Sequence, residues 1–503
     1  MINISLAILT AVLFSLAFSS FDLGWLAWFA LLPLYISLEN KSLRFSLALA
    51  FFAGLVFWSL TIYWLVYVTF LGQIILIFYL ALYFGLFGAA VYLSRFLPAL
   101  GRLLFLPATW VLLEYIRSYL FTGLPWALAG LSQYHYLAVI QCADITGAWG
   151  VSFLVVWVNT GLYLLWRKGL RQKILWFWAA LPLIALSYGL IKLPVYSAPG
   201  NRQDKVKISV VQGNIPQELK WDSRALAFIQ NRYQQLTLAA GLDKPQLIIW
   251  PEAAVPGLWG RDEDEFAPSF ELAGQLKVSL LVGAVSLLEE DYFNSAVLIG
   301  PRGQATGIYH KLHLVPFGEY VPLKKILPFL GTIAPIGDIT PGKEYTIFKL
   351  HPAVADRPVR AAAQAATFGV LICFEDLFPE LSRAFVQRGA GFLVNITNDA
   401  WYKKSSAAFQ HLAASVLRAV ENRVYLVRCA NTGVSGFIDP AGRVLNPVQS
   451  SRGEKIFIAG HRAQDIYLSP ATHTIYNRYG DFFILLCLLW EAAAAVIFFR
   501  MKP

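Results

Sequence analysis

Charged residues are scarce in this sequence. Only 14% of its 503 residues are Asp, Glu, Lys or Arg, whereas 57% are hydrophobic and 15% are aromatic. A chain so poor in charge is not expected to be wholly water-exposed. The scarcity is uneven, because long uncharged runs fill residues 1 to about 193 and recur at about 480–499, while residues 201–475 have ordinary polar content. The composition therefore predicts a membrane bundle, a water-exposed domain and one closing span.

Uncharged runs of membrane-spanning length are the main feature outside that domain. Such a run needs roughly 17 to 25 apolar residues, and about eight are present. The first opens MINIS, without the basic start or small-residue cleavage site of a secretory signal, so we expect it to be retained. The predicted spans are residues 4–20, 23–39, 46–69, 73–94, 102–120, 137–166, 174–193 and 480–499.

Basic residues mark one side of the predicted bundle. Lys and Arg follow the second, fourth, sixth and eighth spans, as in WRKGLRQK, and are absent from the exits SSFD and LGQ. Because basic loops stay in the cytoplasm, both termini are expected there. We predict a bundle of seven spans over 1–200, an exported domain over 201–475, and a final span with a cytoplasmic tail over 476–503. In a bacterium, this multi-pass protein would lie in the cytoplasmic (inner) membrane with its domain on the periplasmic or outer side.

Cysteine is also scarce. Cys142 and Cys487 lie in apolar spans, which leaves Cys373 and Cys429 in the exported domain. An oxidising location would permit a bridge between these two. They fall on different predicted buried strands, however, so we do not expect a disulfide.

Three common ligands find little support in the sequence. The net charge of +10 fits basic loops beside anionic lipid headgroups and does not require nucleic acid. GDITPGKE at 337–344 nearly matches a phosphate-binding loop, but a carboxylate replaces the Mg²⁺-binding hydroxyl and a proline removes an amide donor. His310 and His313 lack further ligands in a recognisable pattern, which disfavours a metal. We therefore predict no cofactor, and we interpret residues 327–337 as a loop that touches lipid or flanks a site.

Short β-branched strands alternate with helices from residue 205 onward. Alternation over about 260 residues is typical of an α/β layered domain with its own core. The predicted strands are 206–215, 246–254, 278–285, 294–300, 367–373, 391–397 and 423–430, and the predicted helices are 224–242 and 407–423.

Three side chains suited to acyl transfer follow predicted strand ends. Glu252 follows IIWP, Lys311 lies in YHKLHLVPFGEYVP, and Cys373 closes GVLIC. Residues just beyond strand ends are where ligands and catalysis concentrate in α/β sheets. A carboxylate can take the thiol proton, the thiolate can attack a carbonyl, and an ammonium can stabilise the resulting oxyanion.

Each of these residues also has a purely structural interpretation. Glu252 could cap a following helix, Lys311 could be a solvated loop lysine, and Cys373 could be a small inert core residue. Glu319 could simply pair with Lys311 or Lys324. The order of all these residues along the chain is more specific than any one of them.

That order resembles the nitrilase superfamily, with its Glu, Lys and Cys triad. WPEAA, HKLHLVPFGEYVP and CFEDLFPE carry the three residues, and NITNDAWY and RCANTGVSGFIDPAGRV follow, so the motifs cover most of residues 206–445. With the membrane runs, EYIRSYLFTGLPW, SQYHY and VQGNIPQELKWD extend the resemblance over essentially the whole chain to the apolipoprotein N-acyltransferase family. The resemblance implies a polytopic α-helical membrane bundle joined to an α/β nitrilase-like domain, an α-β-β-α sandwich.

The resemblance also implies roles for individual residues. Many members of the family have Tyr directly after the nucleophile, so the Phe found here keeps a packing role but offers no hydroxyl. The residues at the family's functional positions are, for catalysis, Glu252, Lys311 and Cys373 and, for support or substrate contact, Glu319, Glu375, Phe374 and Trp221.

The activity implied is N-acylation of lipoproteins. A phospholipid, chiefly phosphatidylethanolamine, would acylate Cys373, and the α-amine of a diacylglyceryl cysteine would accept the acyl group. One alternative function is that of a membrane-tethered amidase or nitrilase with water as the acyl acceptor. Only analysis of the products distinguishes it from the acyltransferase. A second is a transporter whose exported domain only binds ligand. Few ionisable residues in the spans disfavour a transporter, and we interpret Glu114 and Arg117 as a mutually paired structural site.

Overall fold

The chain divides into two units. In the computed structural model of the protein, residues 1–168, 172–197, 205–321, 339–350, 366–468 and 473–501 are described. The first unit comprises Met1–Val195, Phe409–Ala413 and Thr474–Pro503, and the second comprises Tyr196–Ala408 and Ala414–His473. The loop predicted at 327–337 lies outside the described residues.

Helices make up most of the first unit. Helical backbone satisfies its own hydrogen bonds, as an apolar environment requires. Hydroxyl side chains mark two helix starts: Ser42 accepts from the Phe45 N–H at 3.3 Å, and Thr69 accepts from the Gly72 N–H at 3.2 Å. The helices are α1 (Ile2–Leu16), α2 (Leu32–Leu38), α3 (Leu43–Thr61), α4 (Phe70–Ser94), α5 (Ala99–Tyr119), α6 (Leu137–Ile140), α7 (Ala143–Lys168) and α8 (Gln172–Ser197), and later Ile475–Tyr479 and Phe482–Met501.

Five helical segments among the described residues are long and apolar enough to cross a membrane. These are Leu43–Thr61, Phe70–Ser94, Ala99–Thr122, Ala143–Arg167 and Lys173–Tyr196. Three other predicted spans coincide with the shorter apolar helices Ile2–Leu16, Gly24–Leu38 and Phe482–Val496. The membrane bundle is therefore confirmed, with five full-length helices where about eight spans were predicted.

Helix length explains the difference for the first two spans. Helix α1 has 15 residues, and at about 1.5 Å per residue it is shorter than a hydrocarbon core about 30 Å thick. The second predicted span is broken, because Gly24–Trp28 form a 3₁₀ helix and a new helix starts near Pro33. Proline favours the first turn of a helix, where no backbone donor is lost.

Glu114 and Arg117, the predicted pair in α5, bind separate partners. The Glu114 carboxylate accepts from an indole N–H one turn earlier at 2.8 Å and from the Ala129 N–H at 2.7 Å. Arg117 donates to the carbonyl oxygens of Leu124 and Trp126, both at 2.7 Å. The two opposite charges also attract each other electrostatically, which supports their interpretation as a paired structural site, and the loop after α5 supplies further partners to each.

Two mixed β-sheets form the centre of the second unit. The strands are β1 (Lys205–Gln212), β2 (Leu247–Ile249), β3 (Leu258–Trp259), β4 (Ser279–Leu288), β5 (Asp291–Gly300), β6 (Gln304–His310), β7 (Phe348–Leu350), β8 (Ala366–Ile372), β9 (Phe392–Thr397), β10 (Leu426–Ala430), β11 (Gly436–Ile438), β12 (Val444–Leu445) and β13 (Gly460–Tyr467). One sheet has the order β13-β1-β2-β4-β5-β6, with β3 paired to β4, and the other has the order β12-β11-β10-β9-β8-β7. The central strands β1, β2 and β4 are parallel, as are β8, β9 and β10.

Helices cover the outer faces of the two sheets. Helices α9 (Leu226–Gly241) and α10 (Glu263–Leu276) contribute Tyr233 and Leu272 to a buried core shared with the first sheet. On the second sheet, α11 (Pro379–Gln387) packs against β8 and β9, and Ser415 of α12 (Ala407–Asn422) accepts from Arg428 of β10 at 3.0 Å.

The inner faces of the sheets meet around Cys429. Its Sγ, on β10, lies 3.3 Å from the carbonyl oxygen of Val211 on β1 and 3.2 Å from that of Ile249 on β2. The second unit therefore has the predicted α-β-β-α layering, and the predicted fold class is confirmed.

Candidate active site

Cys373 lies in the turn that ends strand β8. The strand stops at Ile372, and residues Cys373–Leu377 form a 3₁₀ turn. The backbone φ of Cys373 is +53°, in the left-handed region that side chains other than glycine rarely adopt. Asn395 of β9 braces this turn, since its Nδ2 donates to the carbonyl oxygens of Leu371 at 3.2 Å and Cys373 at 3.1 Å. A strained residue held by its neighbours is typical of a functional site.

A buried arginine on β10 stabilises the same turn. Arg428 donates to Asn395 Oδ1 at 2.7 Å, to Asp376 Oδ2 at 3.0 Å and to Asp399 Oδ2 at 3.2 Å. All four side chains are buried. Because removing one partner from a buried charge network typically costs about 3–5 kcal/mol, this network holds the turn that contains Cys373 firmly in place.

Glu375 ties the nucleophile turn to the loop that carries Lys311. Its carboxylate accepts from the Ile372 N–H at 2.7 Å, the Leu312 N–H at 2.7 Å and the Tyr309 hydroxyl at 2.9 Å. Burial raises the pKa of Glu375 to about 7, although these donors and Lys311 oppose the rise. These bonds join the Cys373 turn to the Lys311 loop, and the supporting role of Glu375 in catalysis stays a prediction.

Lys311 is buried, with 1% of its surface exposed. Its Nζ donates to both carboxylate oxygens of Glu319 at 2.9 Å, and the Val315 N–H donates to the same carboxylate at 2.8 Å. Burial lowers the pKa of Lys311, but Glu319, Cys373 and Glu252 together raise it by more, so the ammonium stays charged. The interpretation of Lys311 as a solvated lysine is therefore wrong.

Glu252 lies in a turn after β2 and is joined to Glu319 by Asn294 of β5. Asn294 Nδ2 donates to Glu252 Oε1 at 2.7 Å and to Glu319 Oε1 at 2.8 Å, so one amide bridges the two carboxylates. The turn packs tightly on β4, because a Cβ at Gly283 would lie 2.3 Å from the carbonyl oxygen of Pro251. Only glycine permits this approach.

The helix-cap interpretation of Glu252 is wrong. In the described stretch 205–321, the next helix after Glu252 begins at Glu263. The carboxylate instead faces the amide of Asn294.

Charges of both signs surround the thiol. Burial and Glu252 raise the pKa of Cys373 well above its ordinary value, whereas Lys311 and Thr397 lower it. The thiol is therefore protonated near neutral pH, and a thiolate has to be generated by proton transfer within the site. The structure brings the ends of β2, β6 and β8 together, so that Glu252, Lys311 and Cys373 act on one another electrostatically. Their catalytic roles stay predictions.

The two predicted aromatic residues have different environments. Phe374 is buried, with its ring centroid 5.1 Å from that of Phe378 in an edge-to-face arrangement. This packing is the role expected of a ring without a hydroxyl. Trp221 is 55% exposed, just after the 3₁₀ turn Gln217–Leu219, which leaves its indole accessible to a lipid chain. Its substrate contact stays a prediction.

The two histidines beside Lys311 pack against neighbours in this unit. His310 Nδ1 lies 2.8 Å from Ser295 Oγ, and the His313 ring centroid lies 3.7 Å from that of Phe378. Within the described residues, no group of three or more His, Cys, Asp or Glu side chains is arranged to hold a metal ion.

Three polar residues of the site were missed from the sequence. Asn395 carries the clearest signal, because it interrupts the apolar strand GFLVNIT, and a polar side chain on a buried strand needs a partner. Asn294 begins the run NSAVLIG and looks like an ordinary strand edge. Lys220 stands in a polar segment, QELKWD, where nothing marks it as buried.

Comparison with known proteins defines the class of the second unit. The carbon-nitrogen hydrolase family model matches residues 207–469, and the model for the apolipoprotein N-acyltransferase N-terminal domain matches residues 10–161. Among solved structures, a nitrilase-superfamily amidase from Nesterenkonia AN1 is 18% identical with a TM-score of 0.39, covering 54% of this chain and 93% of that chain. The two family models identify residues 207–469 as a carbon-nitrogen hydrolase domain and residues 10–161 as the N-terminal domain of apolipoprotein N-acyltransferases.

Relatives extend the match to the whole length. An apolipoprotein N-acyltransferase from Geobacter metallireducens is 37% identical over 99% of this chain and 95% of its own length. Others from Rickettsia prowazekii and Chlorobaculum tepidum are 33% and 32% identical, over 82% and 87% of each chain. The chain belongs to the apolipoprotein N-acyltransferase family. The predicted family, the predicted acyltransferase class and the prediction of a membrane protein are confirmed.

Proposed function

We propose that the chain N-acylates the α-amine of the S-diacylglyceryl cysteine at lipoprotein N-termini, with a phospholipid as donor and a thioester on Cys373 as intermediate. The observation that carries this proposal is the grouping of Glu252, Lys311 and Cys373 in a chain with membrane-length helices. The names of the relatives support the lipoprotein acceptor.

In the first half-reaction, Cys373 takes the acyl group from the phospholipid. Glu252 accepts the thiol proton, and the sulfur attacks the ester carbonyl carbon. The carbonyl oxygen becomes an oxyanion, which the ammonium of Lys311 stabilises. The ester C–O bond then breaks, and the lysophospholipid leaves with the proton from Glu252. Phosphatidylethanolamine is the donor we favour.

In the second half-reaction, the lipoprotein amine takes the acyl group. The neutral amine attacks the thioester carbonyl, Glu252 accepts a proton from its nitrogen, and Lys311 again stabilises the oxyanion. The C–S bond breaks, an amide forms, and the thiolate of Cys373 regains the proton from Glu252. Glu252 is a carboxylate and Cys373 a thiol at the end of each cycle.

The attachment of the catalytic domain to membrane helices is consistent with lipid substrates. Withdrawing acyl chains from a bilayer costs about 0.8 kcal/mol per methylene. An active site at the membrane surface can therefore reach the ester without removing the chains from the bilayer. We propose that the chain lies in the bacterial cytoplasmic (inner) membrane, with both termini in the cytoplasm and residues 201–475 on the periplasmic or outer side. The basic loops support this orientation.

Incubation of the purified protein with acyl-labelled phosphatidylethanolamine should leave a labelled acyl group on Cys373. Mass spectrometry of the peptide containing Cys373 detects it, and phosphatidylglycerol in parallel tests the headgroup. Adding a diacylglyceryl-cysteine peptide should discharge the adduct into an N-acylated peptide. Release of free fatty acid at an unchanged rate with or without that peptide would instead establish a hydrolase, the amidase-like rival.

Arg302 and Lys173 should lie on opposite sides of the membrane. Both side chains are exposed, one in the turn between β5 and β6 and the other near the start of α8. Each single cysteine, Arg302→Cys or Lys173→Cys, is introduced into a variant in which the four native cysteines have been replaced. In cells with a permeable outer membrane, an impermeant maleimide should label position 302 at once and position 173 only after lysis. Equal labelling before lysis would contradict the orientation.

A further inference from the structure

Lys220 is a second buried lysine beside the catalytic residues. Only 4% of its surface is exposed, and its Nζ donates to the carbonyl oxygen of Glu252 at 2.9 Å. The next residue, Trp221, is largely exposed. The segment therefore turns a lysine inward and an aromatic ring outward, the reverse of the usual distribution of these side chains.

The hydrogen bonding of the Lys220 ammonium offsets only part of the free-energy cost of burying it. A lysine ammonium has three donors, and in the described part of the chain Lys220 makes one hydrogen bond, to a neutral carbonyl. Burial lowers its pKa to about 8, although Glu252 and Cys373 act in the opposite direction. Burying a lysine in this way costs folding free energy, so its presence at this position suggests that the charge has a function in the site.

The positive charge of Lys311 is shared between Glu319 and the reacting groups. Its ammonium donates to both oxygens of Glu319, so part of its positive charge is offset there. Glu252 and the sulfur of Cys373 together carry one further negative charge throughout proton transfer. Lys220 is a second cation, beside Lys311, that acts electrostatically on both of these groups.

We propose that Lys220 is a second active-site ammonium that positions the Glu252 turn and electrostatically stabilises the Cys373 thiolate. The proposal rests on the nucleophile assigned above but adds a group to which no role has been given. Lys220 acts through Glu252 and Cys373, so it is a positioning residue.

Other charged groups face the same two residues. Lys311, Glu252, Asp399 and Tyr402 act on Cys373, and Asn294 links Glu252 to Glu319. Lys311 stays charged in the neutral range, so it does not titrate with Lys220. The contribution of Lys220 is full while its ammonium is protonated and is lost as pH rises through about 8.

Alkylation of Cys373 by iodoacetamide tests the proposal without any lipid. Lys220→Met should slow alkylation at pH 7 by about 10- to 100-fold, because loss of a cation that acts electrostatically on the thiol is expected to raise the thiol pKa by about one or two units. Lys220→Arg keeps the charge and should react within a few-fold of the parent. Lys403→Met, at an exposed lysine that pairs with exposed Glu218, is the matched control and should change nothing.

The pH profile of acyl-enzyme formation separates an electrostatic role from a structural one. In the parent, the rate should fall as pH rises above about 8; Lys220→Arg should lack this fall, because arginine stays protonated. An unchanged alkylation rate in Lys220→Met, or a fall near pH 8 that persists in Lys220→Arg, would overturn the proposal. If Lys220→Met does not fold, the arginine profile decides alone. Failure of phospholipid to label Cys373 in the parent would instead reject the proposed function, and alkylation would still test Lys220.

Discussion

Cys373→Ala is expected to abolish acyl transfer, with a loss on the order of 10⁶-fold in turnover. Both half-reactions pass through the sulfur, so no thioester forms and the amine has nothing to attack. The alanine fits the buried turn, whose backbone is held by Asn395 and Arg428 rather than by the thiol. The measurement is the rate of N-acylation of a diacylglyceryl peptide, together with intact-mass detection of the acyl-enzyme.

The other three cysteines provide matched controls. Cys429 is as buried as Cys373, but its Sγ lies between two backbone carbonyl oxygens at the sheet interface. Cys429→Ala should therefore cost about 1 kcal/mol of stability and leave activity near the parental level. Cys142→Ala and Cys487→Ala should be equally active. A thioester adduct in Cys373→Ala, or loss of the adduct in folded Cys429→Ala, would refute the assignment of the nucleophile.

Glu252→Gln should reduce acyl-enzyme formation by about 10²- to 10⁴-fold, the range typical of a general base. The side-chain amide keeps an oxygen that can accept from Asn294, so the turn and lipid binding should persist. The protonated thiol of Cys373 would then have no group to accept its proton. If Glu252→Gln acylates Cys373 at the parental rate with saturating phospholipid, Glu252 is not the base.

Lys311→Met should slow both half-reactions by roughly 10²- to 10³-fold, since each forms an oxyanion. The rate of discharge of a preformed thioester to the amine isolates the second step. Removing the ammonium also leaves the Glu319 carboxylate unpaired, which destabilises the fold. The double variant Lys311→Met with Glu319→Gln removes that charge and should regain stability without regaining rate. Recovery of the rate would show that Lys311 is only a structural partner of Glu319.

The sequence predicts the centre of the hydrolase domain better than its edges. Buried strands such as β8 and β9 are short apolar runs and are recognisable without the structure. Strands β6 and β13 were not predicted, because they are half-exposed and mix polar with apolar residues. Pairing of β13 with β1 depends on a partner about 260 positions away, which no local pattern encodes.

In the site too, residues marked by a local motif could be predicted, whereas residues placed by contacts distant in the sequence could not. Glu252 and Cys373 could be proposed because each directly follows an apolar strand, and Lys311 could be proposed because of its characteristic motif. The contacts of Asn294 and Lys220 with Glu252 span 42 and 32 positions, so their positions depend on how the strands assemble. Membrane helix ends were also uncertain, because a single turn or proline decides whether an apolar run stays continuous.

The amide of Asn294 makes the two carboxylate oxygens of Glu252 inequivalent. Its N–H donates to Glu252 Oε1, and an ionised oxygen accepts such a bond more strongly than a protonated one. If Glu252 is the base proposed above, we therefore expect Oε2 to receive the proton from the thiol and later from the amine. Under that proposal every proton transfer in the cycle uses the same oxygen, so donors and leaving groups are expected to approach along that edge of the carboxylate.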